Sequence, residues 1–502
     1  MANPVVDTTA GNATSLPSEQ KIGIFTRLAY GFGAVAYGVK ENGFSYFLLL
    51  FYSQVVGISP QLVGTALLVA LVVDAFSDPI IGYWSDNLKS PWGRRHPFMY
   101  ASAIPVAVSY FLLWTPPEGW SEMSTFWYLL TLAVAVRTFI TLYETPSTAL
   151  GFELSTDYEE RSGLISYRYF FAWVGGNAIT VIMFAVVFVA MATATIADGR
   201  FNPASYEFYG WLTSSLIFAA IVVSALGTHK HISRLSKPKE KEKQSLSDVF
   251  SEIRATLWER SFLALFIAAM FGAIAAGMSA ALSFYFYTYF WGFTSEQTGL
   301  ITFGVFGSAI IGAGLAPVVT KWLGKKRAAM IIGPIAFLGS PMPIVLRLLD
   351  VLPENGDPVV FWFVFFTILI DVGLIICFQI LTTSMMADLV ENSEVRTNKR
   401  SEGIFASSST FIRKLVQGFG IMAATTVLTL AEFPVGAKPE DVSDETLFRF
   451  GLYYAPIIVT IWMSMVLAVS FYKLRREDHE RNLSELERRR KAREADEASA
   501  QT

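Results

Sequence analysis

The stretch LVGTALLVALVVDAFSDPIIGYW, residues 62–84, places two aspartates inside an apolar run that is long enough to cross a membrane. Asp74 and Asp78 are four residues apart, so a helix carries both carboxylates on one face. A carboxylate at the centre of a bilayer costs about 2.5–3.5 kcal/mol on the insertion scale. Two acids on one face therefore predict a site for a cation or a proton. The alternative is a buried ion pair that serves only packing.

The chain has 502 residues, of which 53% are hydrophobic, 15% aromatic and 16% charged, with a mean hydropathy of +0.44. Soluble domains carry about 25% charged residues, so this composition predicts an all-α protein that crosses the membrane many times. The formal net charge of −3 gives no reason to expect nucleic acid as a partner. One cysteine excludes an intrachain disulfide, and four histidines at segment ends or in tails predict no metal site beyond one for a coupling cation.

Apolar segments of about 20–30 residues recur along the chain, and each is long enough to span a bilayer as a helix. We predict twelve spans, at 26–56, 60–87, 97–115, 123–151, 162–191, 208–229, 260–291, 295–322, 327–350, 358–389, 402–431 and 446–473. Loops rich in lysine and arginine alternate with loops that have one such residue or none. The positive-inside rule then places both termini in the cytoplasm.

The longest basic loop divides the twelve spans into two sets of six. The predicted organisation is a cytoplasmic N-terminal tail (1–25), a six-helix bundle (26–229), a cytoplasmic linker (230–259), a second six-helix bundle (260–473) and a charged cytoplasmic tail (474–502). A short internal repeat supports this division, because Gly93-Arg94-Arg95 follows the second span and Gly324-Lys325-Lys326-Arg327 follows the eighth. Two six-helix halves related in this way resemble the plan of the major facilitator superfamily.

Ionisable residues of both signs fall inside the predicted spans. They are Lys40, Glu41, Asp74, Asp78, Arg137, Glu144, Arg168, Asp371, Arg413 and Lys414. Charges inside a membrane usually face the interior of a bundle or a wet cavity and mark a transport pathway. Channels use rings of like charge, so scattered charges of both signs favour a central binding cavity. Pro79 and Pro146 free the carbonyls of Ala75 and Leu142 as oxygen ligands or simply kink their helices.

The segment DAFSDPIIGYWSD (74–86), followed by SPWGRRHPF (90–98), resembles the signature of the glycoside–pentoside–hexuronide:cation symporters, the melibiose permease family. The resemblance extends from about residue 26 to 472. It implies that Asp74 and Asp78 bind a coupling Na⁺, Li⁺ or H⁺. Ser77 and Thr141 match the positions of two further oxygen donors at that cation site.

The same resemblance implies a sugar site formed by Lys40, Glu41, Glu144, Arg168 and Lys414. Two tryptophan positions of the family are occupied here by Thr148 and Gln379, and both sugar-site acids are one methylene longer. The expected substrate is therefore a sugar or glycoside other than a melibiose-like galactoside. The family counterparts give no role for Arg137 or Asp371.

Asp86, Arg94 and Arg95 resemble the loop between the second and third helices of major facilitators. This resemblance implies a cytoplasmic charge latch, or gate, that holds the outward-facing state. The alternative is that these charges set only the topology of the chain.

Together these features predict a secondary active transporter that couples Na⁺ or H⁺ to the symport of a sugar or glycoside by alternating access. The alternatives are a carrier of an amphipathic lipid-like or other organic solute, a proton-driven exporter, and a receptor of the same fold that does not transport. An enzyme is not expected, because the sequence has no HExxH or GxSxG motif. We expect no cofactor beyond the coupling ion, a small-molecule substrate, a monomeric working unit and, from the resemblance, a prokaryotic inner membrane.

Overall fold

The computed structural model describes residues 22–155, 157–232, 260–397 and 402–473, and five residues of the C-terminal tail. Within these residues every regular element is a helix, so the predicted all-α class is confirmed. Twelve long helical segments follow one another along the described chain. They are α1 (24–56), α2 (Pro60–Asn87), α3 (His96–Leu113), α4 (Glu122–Leu154), α5 (158–190), α6 (Pro203–His229), α7 (Arg260–Phe290), α8 (Ser295–Leu323), α9 (Lys325–Leu348), α10 (Pro358–Thr397), α11 (Glu402–Leu430) and α12 (Asp444–Ser470).

Each helix overlaps one of the twelve predicted spans, and the differences lie at helix ends. Helices α5 and α6 begin at 158 and 203, several residues before their apolar stretches. Side-chain caps explain these extensions, because Asp157 accepts a hydrogen bond from the backbone of Glu160, and Asn202 accepts one from Ala204. A cap satisfies an orphan N–H at a helix start, and hydropathy does not reveal it. Ten of the described helices are long and apolar enough to cross a membrane.

Helix α1 is the least regular of the twelve. It is interrupted after Phe32 and contains two π-helical turns, Gly43–Phe47 and Phe51–Val56. Its Gly38 packs against α5 so closely that an added Cβ atom would lie 1.8 Å from the carbonyl oxygen of Ala172. Glycine is required at this position for the close approach of the two backbones.

Helix packing repeats between the two halves. In the first half, α1 packs against α5 and α6, α2 against α4, and α3 against α4 and α6. In the second half, α7 packs against α11 and α12, α8 against α10, and α9 against α10 and α12. Each pair in the first half thus has its counterpart six helices later. This confirms the predicted architecture of two six-helix halves, while the exact domain boundaries stay a prediction. Residues 233–259 of the predicted linker lie outside the described residues.

The halves meet along α2 and α11, along α5 and α8, and between α1 and α7. We call the end of the bundle that carries the loops 88–95 and 324–325 the basic end, and the other end the opposite end. At the opposite end, the backbone of Ala437 donates to Gln54 Oε1 (3.1 Å), and Gly436 donates to the Ser53 carbonyl (3.0 Å). The Arg200 guanidinium donates to Thr288 nearby (2.9 Å). These bonds between the halves close the bundle at its opposite end.

Candidate functional site

Asp74 and Asp78 lie on the face of α2 that packs against α4. Asp74 is 1% exposed, and its Oδ2 atom accepts a hydrogen bond from Arg137 Nη1 at 3.1 Å. The Thr141 hydroxyl lies between the two carboxylates, 3.0 Å from Asp74 Oδ1 and 3.2 Å from Asp78 Oδ1. Arg137 and Thr141 are four residues apart on α4 and therefore share a face. The structure thus brings together three of the four residues predicted for cation binding.

Lys414 of α11 reaches this pair from the other half of the protein. Its Nζ atom lies 2.6 Å from Asp78 Oδ2 and 3.1 Å from Asp74 Oδ2. An ammonium group is a compact point charge with three donors, so it can serve both carboxylates at once. Lys414 therefore occupies the position between the acids that a coupling cation would need.

Ser77, the fourth residue predicted for cation binding, is oriented differently. Its hydroxyl donates a hydrogen bond to the backbone carbonyl of Asp74, at 3.0 Å. Serine side chains in helices commonly bond to the preceding turn in this way. Ser77 thus lies beside the carboxylates in sequence, but its hydroxyl contacts the backbone of its own helix.

A cavity of about 260 Å³ opens between the halves next to these residues. Its polar lining includes Tyr37, Glu41, Arg137, Arg413, Lys414 and Gln417. Lys40 is 2% exposed and is bonded to Glu41 (2.7 Å), so Glu41 presents the pair to the cavity. The Lys40 ammonium also lies 4.6 Å from the centre of the Tyr37 ring, which is favourable for a cation over an aromatic face.

A second polar cluster lies between α4 and α5. Arg168 Nη2 donates to Glu144 Oε1 (2.6 Å) and to the Thr148 hydroxyl (3.0 Å), and Nη1 donates to Ser147 (2.6 Å). The Glu144 Oε2 atom is buried and has no hydrogen-bond partner among the described residues. A buried acceptor without a donor is costly, so this oxygen is a candidate acceptor for a hydroxyl of a bound solute.

Gln379 belongs neither to the cavity lining nor to the cluster of Glu144 and Arg168. It is exposed on α10, and its backbone carbonyl accepts a hydrogen bond from Thr382 (3.1 Å). Gln379 is not among the described residues that line the cavity, and the same holds for Thr148 and Arg168. A role for Gln379 in substrate binding stays a prediction.

The residues predicted for gating meet at the basic end within the first half. Arg95 bonds Asp86 Oδ1 (2.6 Å) and Glu153 Oε1 (2.9 Å), and Arg94 bonds the same Glu153 oxygen (2.8 Å). The second half contains a related pair, because Lys325 at the start of α9 bonds Asp388 of α10 at 2.7 Å. The two copies of the internal sequence repeat, at 93–95 and 324–327, thus both contribute a basic side chain to an ion pair.

Sequence reasoning left three of these residues without a role. Arg137 is the partner of Asp74, Arg413 lines the cavity, and Glu153 joins both arginines of the loop. The spacing of Arg137, one helical turn before Thr141, is a signal that could have identified it. Glu153 carries no such signal, because its partners Arg94 and Arg95 lie 59 and 58 positions away in the sequence.

The three acidic side chains at and beside the cavity are all paired with cations. The acidic side chains Glu41, Asp74 and Asp78 are bonded to three cations, Lys40, Arg137 and Lys414. Removing one partner of a buried pair leaves an uncompensated charge and costs about 3–5 kcal/mol. An added cation at the aspartates must therefore displace one of these fixed cations, and Lys414 is the more exposed of the two on Asp74.

Three comparisons place the chain among known proteins. The isoprimeverose transporter of Lactiplantibacillus pentosus is 26% identical over 89% of this chain and 88% of its own length. The sodium-dependent lysophosphatidylcholine symporter 1-A of Danio rerio is 22% identical over 93% of this chain and 90% of its own. The solved structure of the xylose transporter XylE from E. coli superposes with a TM-score of 0.55 and 12% identity, over 87% of this chain and 94% of that one.

The fold of this multi-pass membrane protein is therefore shared with a solved transporter, and related sequences extend over nearly its whole length. The model of the MFS/sugar transport family matches residues 29–476, which include all residues of the site described above. The chain belongs to the MFS/sugar transport protein family.

Proposed function

We propose that this protein is a symporter that couples the entry of Na⁺ or H⁺ to the uptake of a sugar or glycoside. The observation that carries this proposal is the bridge from Lys414 to Asp78 and Asp74, at 2.6 and 3.1 Å, which joins the two halves. A site that holds its own cation between two acids is suited to exchange that cation for another one. Relatives of the chain include a sugar transporter and a sodium-dependent symporter by name.

The proposed cycle begins with displacement of Lys414. A coupling cation binds the carboxylates of Asp74 and Asp78 and the Thr141 hydroxyl, and the lysine ammonium leaves. The bridge between α2 and α11 is then broken, and the halves become free to rock around the site. Arg137 remains on Asp74, so this carboxylate stays compensated throughout the cycle.

We assign substrate binding to the cavity beside the bridge, which Glu41 lines, and to the polar cluster of Glu144 and Arg168 between α4 and α5. Glu41 and Glu144 accept hydrogen bonds from solute hydroxyls, and Arg168 holds Glu144 in position. If the released Lys414 ammonium donates to the solute, binding of the cation and binding of the solute favour each other, and this coupling is reciprocal. One positive charge that moves inward gains about 2.3 kcal/mol per 100 mV, which corresponds to roughly fifty-fold accumulation.

The first test compares the thermal stability of the protein with and without Na⁺. The thermal stability of the purified protein is measured in NaCl and in choline chloride, at two pH values, for the wild type and Asp78→Asn. A specific ligand stabilises by about 2.7 kcal/mol at a hundredfold excess over its Kd, so Na⁺ should raise the Tm of the wild type and should not raise that of Asp78→Asn. Asp350→Asn is the matched control, because Asp350 lies in an exposed loop at the opposite end.

A rise in Tm that is specific for Na⁺ and lost in Asp78→Asn supports sodium coupling. A shift that depends on pH but not on Na⁺, again lost in the variant, supports proton coupling. Equal behaviour of the wild type and Asp78→Asn under all conditions contradicts the proposed cation site. A screen of glycosides and one lysophospholipid in vesicles then decides the substrate class, since relatives of both kinds exist by name.

A further inference from the structure

Asp371 is a second acidic residue inside the membrane, and the cycle described above does not use it. It lies on α10 in the second half and is 7% exposed. Its Oδ1 atom is buried and has no hydrogen-bond partner in the part of the chain that the structure describes. The ion pairs found there do not include it, in contrast to Asp74 and Asp78. A buried carboxylate without a cation is costly, and such groups usually lose their charge.

Helix α9 is broken at the position that faces this carboxyl. It consists of two parts, Lys325–Gly339 and Met342–Leu348, with Ser340 and Pro341 between them. Pro341 and Pro343 have no N–H, so the carbonyls of Phe337 and Gly339 lose their helical donors.

The break and the carboxyl are in contact. A Cβ atom added to Gly339 would lie 3.4 Å from Asp371 Oδ1, and the Ser340 hydroxyl interacts with the same carboxyl group. An acceptor without a donor on α10 thus lies beside a helix break whose carbonyls have lost theirs. A proton between them would satisfy both sides, because a protonated carboxyl donates one hydrogen bond.

The neighbouring helices contribute hydroxyl groups to this region. Among the described residues, Tyr454 of α12 is a titratable group in the neighbourhood of Asp371, and its hydroxyl lies 3.4 Å from that of Ser279 of α7. The hydroxyl of Ser308 on α8 is bonded to the Leu369 carbonyl of α10 (2.8 Å). Helix α9 presents Ser340, and its Arg347 guanidinium is bonded to the Pro353 carbonyl (2.8 Å) at the opposite end.

Ser279 connects this region with the central cavity. It lies on α7 between Ala276 and Ala280, both of which line the cavity. The hydroxyls of Ser279 and Tyr454, which are 3.4 Å apart, therefore extend polar groups from beside the cavity toward Asp371. Hydroxyl groups both donate and accept hydrogen bonds, which is the property that a path for protons needs.

We propose that Asp371 is a proton-binding site of the second half, in which the protonated carboxyl donates a hydrogen bond to a carbonyl of broken helix α9 that proline has freed. The proton comes from water in the cavity and passes along Ser279 and Tyr454. Its binding ties α9 to α10, and its release leaves a charge that favours separation of the two helices and entry of water. The site is distinct from the pair Asp74 and Asp78, which binds fixed cations.

Infrared difference spectroscopy tests this assignment without any substrate. The purified protein is titrated with acid and base in the absence of Na⁺, and the C=O stretching band of protonated carboxylic acids is recorded. The wild type should show such a band at neutral pH, and Asp371→Asn should lose it. Asp78→Asn, which carries the same change at the bridge, should retain it. The infrared band of Asp371 can therefore be confirmed even if the Tm measurement gives no evidence for Na⁺ binding at Asp78.

An identical band in the wild type and Asp371→Asn would overturn the proposal. So would loss of the band when NaCl is added at constant pH, because the carboxyl would then be a ligand for a metal cation. If Asp371→Asn does not fold, Ser340→Ala provides the second test. That variant keeps the carboxyl and removes one hydroxyl beside it, so the band should shift in frequency, and an unshifted band would contradict the assignment.

Discussion

The Nζ atom of Lys414 lies 2.6 Å from Oδ2 of Asp78, so a lysine of the second half pairs with a carboxylate of the first half. The opposite end of the bundle is closed by backbone and side-chain hydrogen bonds between the halves. Among the ion pairs of the described residues, this bridge is the one that joins the two halves. Its rupture is the step at which binding of a cation can be converted into motion of the halves.

Removal of the lysine should strengthen binding of the coupling cation. In Lys414→Ala, Arg137 still pairs with Asp74, but the ion pairs of the described residues leave no fixed cation on Asp78. A gain of about 1.4 kcal/mol in binding of the coupling cation corresponds to a tenfold lower midpoint. The measurement is the Tm of the variant as a function of NaCl concentration, with choline chloride holding the ionic strength constant. If proton coupling is found instead, the same comparison is made along a pH titration.

The adjacent Arg413 is a matched control for this variant. It lines the same cavity on the same helix, and the described ion pairs do not include it. Arg413→Ala removes one positive charge without opening the bridge, and salt screens the loss, so the midpoint should change by less than about twofold. Equal midpoints for Lys414→Ala and the wild type would refute competition between lysine and the cation.

Arg137 should be structural rather than exchangeable. Its guanidinium is 3% exposed and lies on the Asp74 carboxylate, so Arg137→Met should lower the free energy of unfolding by about 3 kcal/mol. Addition of Asp74→Asn should restore most of this loss, because the buried charge is then gone. Equilibrium unfolding of the single and double variants measures the interaction.

Arg347→Met provides the comparison for Arg137→Met. The Arg347 guanidinium is bonded to backbone carbonyls near the opposite end rather than to a carboxylate. Its loss should cost less than the loss of Arg137, and Asp74→Asn should not rescue it. Additive effects of Arg137→Met and Asp74→Asn would show that the two side chains are independent.

How much of this site is readable from sequence differs from residue to residue. The spacing of Asp74 and Asp78 predicts one shared face, and the structure places both on the face toward α4. The partnership of Asp78 with Lys414 joins residues 336 positions apart, so no local pattern contains it. It follows from the packing of α2 against α11, which helix periodicity does not reveal. The resemblance to a known family assigns Lys414 to a sugar site and does not pair it with Asp78.

The hydroxyl of Ser77 marks a different limit of sequence reasoning. Its position beside Asp78 suggests a ligand, but a serine in a helix can always turn to the carbonyl of the preceding turn. In the structure it donates to the Asp74 carbonyl at 3.0 Å. The choice between these orientations depends on the surrounding helices, and residue type does not determine it.

Glu144 should act on the solute and leave the cation site intact. Its Oε1 atom is held by Arg168 at 2.6 Å, and its buried Oε2 atom has no partner among the described residues. A hydrogen bond to a charged group contributes about 1.5–3 kcal/mol, so Glu144→Gln should raise the KM for the transported solute about ten- to a hundredfold. The response of the Tm to the coupling cation should match that of the wild type.

Counterflow in vesicles measures the KM, and Glu159→Gln is the control. Glu159 is exposed near the start of α5, outside the polar cluster of Glu144 and Arg168. Its variant should transport with an unchanged KM. If Glu144→Gln lost the Tm response to the cation and kept the KM of the wild type, Glu144 would belong to the cation site and its assignment to solute binding would be wrong.

Transport should require the opposite end of the bundle to open. Gln54 Oε1 accepts a hydrogen bond from the Ala437 backbone at 3.1 Å, so cysteines at these positions lie close enough for a short bifunctional methanethiosulfonate. In a Cys377→Ser background, which removes the one native thiol, cross-linking Gln54→Cys to Ala437→Cys should abolish counterflow of the solute. A reducing agent should restore counterflow, because it reduces the two disulfides that attach the linker to the cysteines.

The same reagent applied to a pair within one half separates this effect from a general loss of flexibility. Tyr128 of α4 donates to the Thr115 carbonyl at 3.3 Å, at the same end of the bundle but inside the first half. Cross-linking Thr115→Cys to Tyr128→Cys should leave counterflow unchanged, since the halves move as rigid bodies. Full counterflow in the cross-linked Gln54 and Ala437 pair would mean that solute passes without opening of this end, and alternating access would then be excluded.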